Sequence, residues 1–296
     1  MDNAKTMMTP SSSFGLIAGR IFIYTILIVA ALYFLLPFLV MLLTSVKSMQ
    51  DIRTGNLISL PASISFEPWR EAWSSACIGA GCGGIKQYFW NSVKMAIPAV
   101  LISTTIGMVN GYVVSKWRFK GSDTFFSLLL VGCFIPFQVI LLPMASTLGR
   151  LGISQSLVGL ALVHIVYGIC FTTLFFRNYY VSIPDELIKA ARIDGASFFR
   201  ILIKIILPLS APIIVVCIIW QTTQIWNDFL FGVVFSTGDN QPITVALNNL
   251  VNTSTGVKKY NVDMAAAIIA AMPTLVIYFF AGKYFMRGLT AGSVKG

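Results

Sequence analysis

Long apolar runs separated by short polar stretches dominate this 296-residue chain. Six of them, Ile21 to Val46, Met95 to Ser115, Thr124 to Gly149, Leu151 to Phe176, Ile205 to Asn227 and Met264 to Gly282, contain no Asp, Glu, Lys or Arg. An α-helix needs about 20 apolar residues to cross about 30 Å of hydrocarbon at about 1.5 Å per residue, and each run meets that need. Arg150 alone separates the third run from the fourth. The two together are far too long for one crossing, so the polar turn around Gly149, Arg150, Gly152, Ser154 and Gln155 predicts two antiparallel helices. The first run exceeds the about 7 to 15 residues of a signal-peptide core and lacks a small-residue cleavage site, which predicts a retained signal anchor.

The expected fold is therefore an all-α, polytopic membrane protein with six transmembrane helices. Residues 1–20 form an N-terminal segment, 21–287 the six-helix domain and 288–296 a C-terminal tail. Of the chain, 56% is hydrophobic and only 11% charged, against about 25% charged in a soluble domain. A cytosolic enzyme is excluded on that ground. The formal charge of +10 would suit nucleic acid if the basic residues clustered. They fall instead in short stretches between apolar runs, so nucleic acid is excluded as a partner and membrane lipid is implied.

Counting Lys and Arg on alternate sides of a six-helix path gives 13 for the set holding both termini, 116–123 and 177–204, and 8 for the other. The positive-inside bias then places both termini in the cytoplasm and the loops near 47–91 and 237–263 outside. No internal repeat pairs the first three spans with the last three, which weakens an inverted-repeat transporter.

Chemistry-bearing residues are scarce. His164, the single histidine, has no cysteine or acid at ligand spacing and reads as a buried, hydrogen-bonded packing residue. No Walker-type glycine loop is present, so any ATP would be bound by another subunit. Cys133, Cys170 and Cys217 lie within apolar runs as packing thiols. Cys77 and Cys82, in CIGAGCGG, are either a disulfide in an oxidising compartment or two free thiols.

The segment Ser182 to Pro212 reads SIPDELIKAARIDGASFFRILIKIILPLSAP and holds seven of the chain's 32 charges. Pro184 suits a first helical turn, Asp185 and Glu186 lie at its positive dipole end, and Gly195 suits a left-handed stop. A helix of about ten residues is predicted, with Leu187, Ala190 and Ala191 on one low face. By spacing alone it is equally an amphipathic connector on the membrane surface. In the fifth run Gln221, Gln224 and Asp228 fall on one stripe, where polar groups face protein or water rather than lipid. Asp228 suits helix packing or capping as well as a solute path, and Trp220, Trp226, Asn227 and Gln224 supply the aromatic and amide groups that sugar recognition combines, or pack helices as the same residues do elsewhere.

This loop resembles the cytoplasmic signature of binding-protein-dependent ABC importer permeases, carried here by Ala190-Ala191, Asp194-Gly195-Ala196 and Leu207-Pro208. Six spans, WNDF at Trp226 to Phe229 and the tail GLTAGSVKG extend the resemblance to the type I, carbohydrate-uptake branch related to the smaller maltose-system permease. The resemblance implies an ATP-driven sugar importer in the bacterial inner membrane, working with a second permease, two ATPase subunits and a periplasmic sugar-binding protein. ATP and Mg would sit on the ATPase subunits, with no cofactor on this chain. It implies that the loop 182–208 holds a coupling helix seated in the ATPase, with Glu186, Lys189, Ala190, Ala191, Asp194, Gly195, Leu207 and Pro208 at that contact. Lys189 replaces the family's usual glutamate, leaving Glu186 one turn earlier as its nearby substitute. The tail implies a regulatory segment between the ATPases. Cys77 to Ser92 resembles an outer loop of glucose and mannose permeases. The alternative class, an ion-coupled secondary transporter, would need intramembrane acids, and Asp228 alone is thin support for it.

Overall fold

The computed structural model describes residues 13–79, 81–252 and 258–291. These form two compact units, one comprising the chain up to Trp69 with Lys259–Ala265, the other Arg70–Lys258 with the chain from Ala266. The first unit holds α1 (Ser13–Ser45) and α2 (Met49–Thr54). Apolar side chains of α1 such as Phe22 and Phe34 are exposed, as a lipid-facing helix requires. A polar knot closes its far end. Lys47 is buried, its Nζ donating to the Asn56 carbonyl and to Ser59 Oγ, while its own carbonyl accepts from Asn261 Nδ2. Trp69 Nε1 donates to Ser45 Oγ.

α3 (Glu67–Ser74) leads into the second unit, where β1 (Cys77–Ile78) and β2 (Gly81–Cys82) form a small antiparallel hairpin. Cys77 and Cys82 pair across it and are disulfide-bonded. α4 (Lys86–Lys116) follows, then α5 (Ser122–Phe134), α6 (Phe137–Arg150) and α7 (Leu157–Val181). Next come α8 (Asp185–Ile193), α9 (Phe198–Ile201), a π turn at Leu202–Ile206, α10 (Leu207–Leu209), α11 (Ala211–Asn227), α12 (Leu230–Phe235), α13 (Ile243–Val251) and α14 (Tyr260–Ala291).

Among the described residues four helices, Ile17–Ser45, α4, α7 and Tyr260–Gly282, are continuous and apolar enough to cross a membrane. The other two predicted spans are not straight. The third bends by 102° between α5 and α6, and the fifth by 77° between α10 and α11. Pro136 explains the first bend, because a proline pushes the residue before it out of the helical region and Ile135 sits at ψ 123°. Pro208 and Pro212 flank the second, each removing a helical N–H. Ser210 at that bend donates to the Ile206 carbonyl, and Tyr179 Oη donates to the Leu209 carbonyl. Carbonyls freed at the bend thus find partners without water. The turn before α7 runs through Gly152 (φ 70°) and Gln155 (φ 56°), and Ser156 caps the helix by accepting from the Gly159 N–H.

α4 and α7 pack in parallel, Ser103 facing Thr172 and Lys116 facing Ile183. A Cβ on Gly107 would lie 2.5 Å from Thr172 Cβ, and one on Gly111 would lie 2.6 Å from Phe176 Cβ. Only glycine allows this approach, and the spacing is the small-xxx-small pattern of close membrane helices. The seam ends on a core of Tyr112, Phe176, Tyr180, Ile183, Ile188, Ile201, Leu202 and Ile206.

Candidate functional site

Two features of the larger unit carry chemistry, one near each end of the α4–α7 seam. α8 sits beside the C-terminal end of α4. Pro184 precedes it, Asp185 and Glu186 occupy the first turn, and a Schellman stop ends it. In that stop Gly195 has φ 73°, its N–H donates to the Arg192 carbonyl, and the Ala196 N–H donates to the Ala191 carbonyl. Lys116 Nζ donates to Asp185 Oδ1 and to the Ile183 carbonyl, fixing the helix start. The Lys116 ammonium holds the Asp185 carboxyl below the usual carboxylate range. The Arg192 guanidinium lies 4.0 Å over the Trp117 ring and donates to the Lys116 carbonyl.

Ile188 is buried and Ala191 packs beside it against the core. The predicted face of Leu187, Ala190 and Ala191 is therefore split. Leu187 (46% exposed), Ala190 and Ile193 (87% exposed) point outward, while Ala191 points in, because i and i+3 from Ile188 share the inner side. Glu186, Lys189 and Asp194 are exposed on the same helix and its cap. Lys189 lines a cleft of about 450 Å³ with Lys116, Arg118, Asp185 and Arg192. Leu207 and Pro208 lie outside α8, in the short α10 before the bend. The tail beyond Ala291 lies outside the described residues.

The second feature is a cavity of about 400 Å³ near the other end of the seam. Both the α5–α6 break and the α11–α12 break feed it, through Phe137 on one side and Asn227 to Phe231 on the other. Helix breaks in a membrane protein persist where the irregular backbone lines a cavity. Gln221, Gln224, Asn227 and Asp228 come together here with Trp220 and Thr223, and α7 contributes His164, Tyr167 and Gly168. Trp226 is turned away. It is buried, donates through Nε1 to the Ala270 carbonyl, and packs on Phe89 at 5.3 Å.

Gln221 is pinned by its Nε2 donating to Ser103 Oγ at 2.6 Å, and a Cβ on Gly168 would lie 2.0 Å from that nitrogen. Asp228 Oδ2 accepts from the Gly232 N–H and the Asp228 carbonyl accepts from Thr244 Oγ1. The carboxylate thus caps α12. His164 is 5% exposed, and its Nε2 has no hydrogen-bond partner and stands 3.8 Å from Asp228 Oδ2. The histidine is buried as a packing residue is expected to be, and its Nε2 makes no hydrogen bond. Phe231 gathers the aromatic wall, its ring centroid 5.5 Å from His164, 5.7 Å from Tyr167 and 6.1 Å from Phe137. Phe137, His164 and Tyr167 were invisible to stripe counting on a single run, since they come from two other helices. The lone histidine in an apolar run was the one available signal.

Residues 103–290 match the family described as binding-protein-dependent transport system inner membrane component. The chain belongs to this family. The permease is 39% identical over 278 residues, 94% of this chain and 98% of the relative, to a protein of Pyrococcus horikoshii named as a probable ABC transporter permease. It is 32% identical over 291 residues, 91% of this chain and 92% of the relative, to a xylose/arabinose import permease of Haloferax volcanii. Among solved structures, it matches a chain of a bacterial ABC transporter that imports the acidic polysaccharide alginate. The TM-score is 0.79 at 21% identity, covering 94% of this chain and all of that one, which establishes a shared fold. The permease is an inner-membrane, multi-pass protein of the type I importer fold.

Proposed function

We propose that this permease is the subunit of an ATP-driven importer that carries a sugar across the inner membrane, with α8 as the surface that receives force from an ATPase subunit. The observation that carries the reading is the outward face of α8. Leu187, Ala190 and Ile193 form a low apolar strip, Glu186, Lys189 and Asp194 surround it, and the Gly195 stop fixes its end. An apolar strip rimmed by charge suits a protein partner rather than solvent. Relatives named for xylose/arabinose, arabinooligosaccharide and multiple-sugar transport support a carbohydrate cargo. The resemblance of Cys77 to Ser92 to glucose and mannose permeases favours a hexose. A bacterial alginate ABC transporter with a similar fold is in complex with a periplasmic protein that carries an alginate pentasaccharide, which supports a periplasmic receptor.

The arrangement has both termini and α8 in the cytoplasm, where two ATPase subunits bind ATP and Mg. The hairpin and α13 face the receptor. A second permease completes the pathway. α8 shares one core with Tyr112 of α4, Phe176 and Tyr180 of α7, and the π turn before the α10–α11 bend. Displacing α8 therefore loads both long helices and the bend together. ATP binding biases that assembly toward one of two arrangements of the cavity.

Affinity purification of the tagged permease in mild detergent, followed by reconstitution, tests the reading. Co-purification of an ATPase and a second permease, with sugar uptake that requires ATP and receptor, is the expected result. Recovery of the chain alone, driving uptake on an ion gradient without any ATPase, would overturn it in favour of a secondary transporter.

A further inference from the structure

We infer that the 400 Å³ cavity is a sugar subsite of this subunit in its own right, selective for a neutral mono- or disaccharide, with His164 Nε2 and the Asp228 carboxylate as its hydroxyl-binding pair. The inference rests on the transport reading and names the class of solute that the pathway accepts.

A buried imidazole nitrogen without a partner is costly, because a desolvated polar atom regains nothing from its surroundings. His164 Nε2 is such an atom, at a place where the wall is otherwise satisfied: Gln221 is pinned to Ser103 and Asp228 Oδ2 takes the Gly232 N–H. The 3.8 Å between Nε2 and Oδ2 is too long for a direct hydrogen bond. A single hydroxyl donating to one and accepting from the other, or two neighbouring ring hydroxyls, would satisfy both. Gln224 and Asn227 are exposed and line the same cavity, offering amide donors and acceptors to further hydroxyls. Phe137, Tyr167, Trp220 and Phe231 supply apolar faces for the C–H surface of a sugar ring.

Size and charge narrow the class. About 400 Å³ falls within the about 300–1,000 Å³ found for small-molecule sites and holds one or two sugar rings. The lining includes one carboxylate and neither Lys nor Arg. A uronic acid would place its carboxylate beside Asp228 with no cation to offset it, so acidic sugars are disfavoured.

The test uses the intact permease–ATPase complex in detergent, free of receptor, and reads binding by saturation-transfer NMR. The probes are D-glucose, D-mannose, D-xylose, maltose and D-glucuronate. At least one neutral sugar binds the wild type and D-glucuronate does not. His164→Phe keeps the ring volume and weakens neutral-sugar binding about tenfold, the loss of roughly one hydrogen bond, while His164→Gln restores part of it. Asp228→Asn retains a capping side chain and admits D-glucuronate. The melting temperature of the assembled complex stays at the wild-type value in His164→Phe while sugar binding falls, a separation that a merely structural role would not give. If His164→Phe fails to assemble, Gln224→Ala, at an exposed position, carries the affinity measurement. No binding by any neutral probe, equal binding of D-glucuronate by the wild type, or unchanged affinity in the variants would overturn the inference. ATP- and receptor-dependent uptake alongside any of these outcomes leaves the importer reading standing; its absence would remove that reading separately.

Discussion

The parallel seam between α4 and α7 sets a sharp expectation for Gly107→Ala. The added Cβ would lie 2.2 Å from Thr172 Oγ1, 2.5 Å from its Cβ and 2.8 Å from its backbone carbon, so rotating the hydroxyl away relieves only the first contact. Carbon atoms pack at about 3.5–4.0 Å, which requires the helices to part by roughly 1 Å. A gap of about that size forfeits a quarter to a half of each contact's attraction, and a well-packed residue makes about 40 contacts of about 0.1–0.2 kcal/mol each. The loss is then about 1–4 kcal/mol. Alanine returns about 1 kcal/mol through its better helix propensity. A net destabilisation of about 2 kcal/mol is expected, in line with the about 1–3 kcal/mol seen for overpacked cores. Thermal unfolding of the purified permease in detergent measures it, with Gly19→Ala as reference because a Cβ there meets nothing within 4 Å. Equal melting temperatures for the two variants would refute the close approach as a source of stability.

Three further expectations follow from α8 and the hairpin. Gly195→Val strains a residue at φ 73° and tilts the stop of α8, so ATP hydrolysis persists while uptake falls several-fold; a normal ratio of sugar moved to ATP consumed would count against α8 as the coupling surface. Asp185 is held below its ordinary value by Lys116, so its contribution is fully present above about pH 4, the unfolded carboxylate range, and disappears as pH falls through the lowered folded value. The pair is largely exposed on the Asp185 side, so Asp185→Asn should cost no more than about 0.2–1 kcal/mol near pH 7, and a melting difference that persists at pH 2 would contradict the assignment. Replacing both Cys77 and Cys82 by serine frees a short closed loop worth about 2 kcal/mol of chain constraint, visible as faster proteolysis between α3 and α4; unchanged cleavage would show that Gly84 and the α3 packing already hold the hairpin.

The apolar runs made the crossings and the α8 loop legible because lipid imposes a length and solvent imposes a charge. Where the helices bend was not legible from run length. Pro136 and Pro208 were present in the sequence, yet a proline in a membrane helix is compatible with a continuous span as well as a break, and the outcome depends on whether partners such as Tyr179 meet the freed carbonyls. The side of Ala191 was misassigned because a short helix has no long stripe to fix its phase, and Ile188 sets it through burial. Asp228 was open between capping and solute contact, and it caps α12 while still lining the cavity. Trp226 and Trp220 looked equivalent; the Ala270 carbonyl takes the first out of the cavity. Gly107 and Gly111 carried the seam in plain view, at a spacing whose partner helix a single chain position does not name.

The parallel direction of α4 and α7 also settles a count. A strand of rope that passes down twice in the same direction must have come back up once between. α4 ends at the Lys116 side of the seam and α7 begins at the opposite side, so the chain from Ser122 to Arg150 has to make that return journey. An odd number of traverses is the only parity allowed, and α5 with α6 is long enough for one. Despite its 102° elbow, the pair is a single crossing and not a hairpin that dips and withdraws.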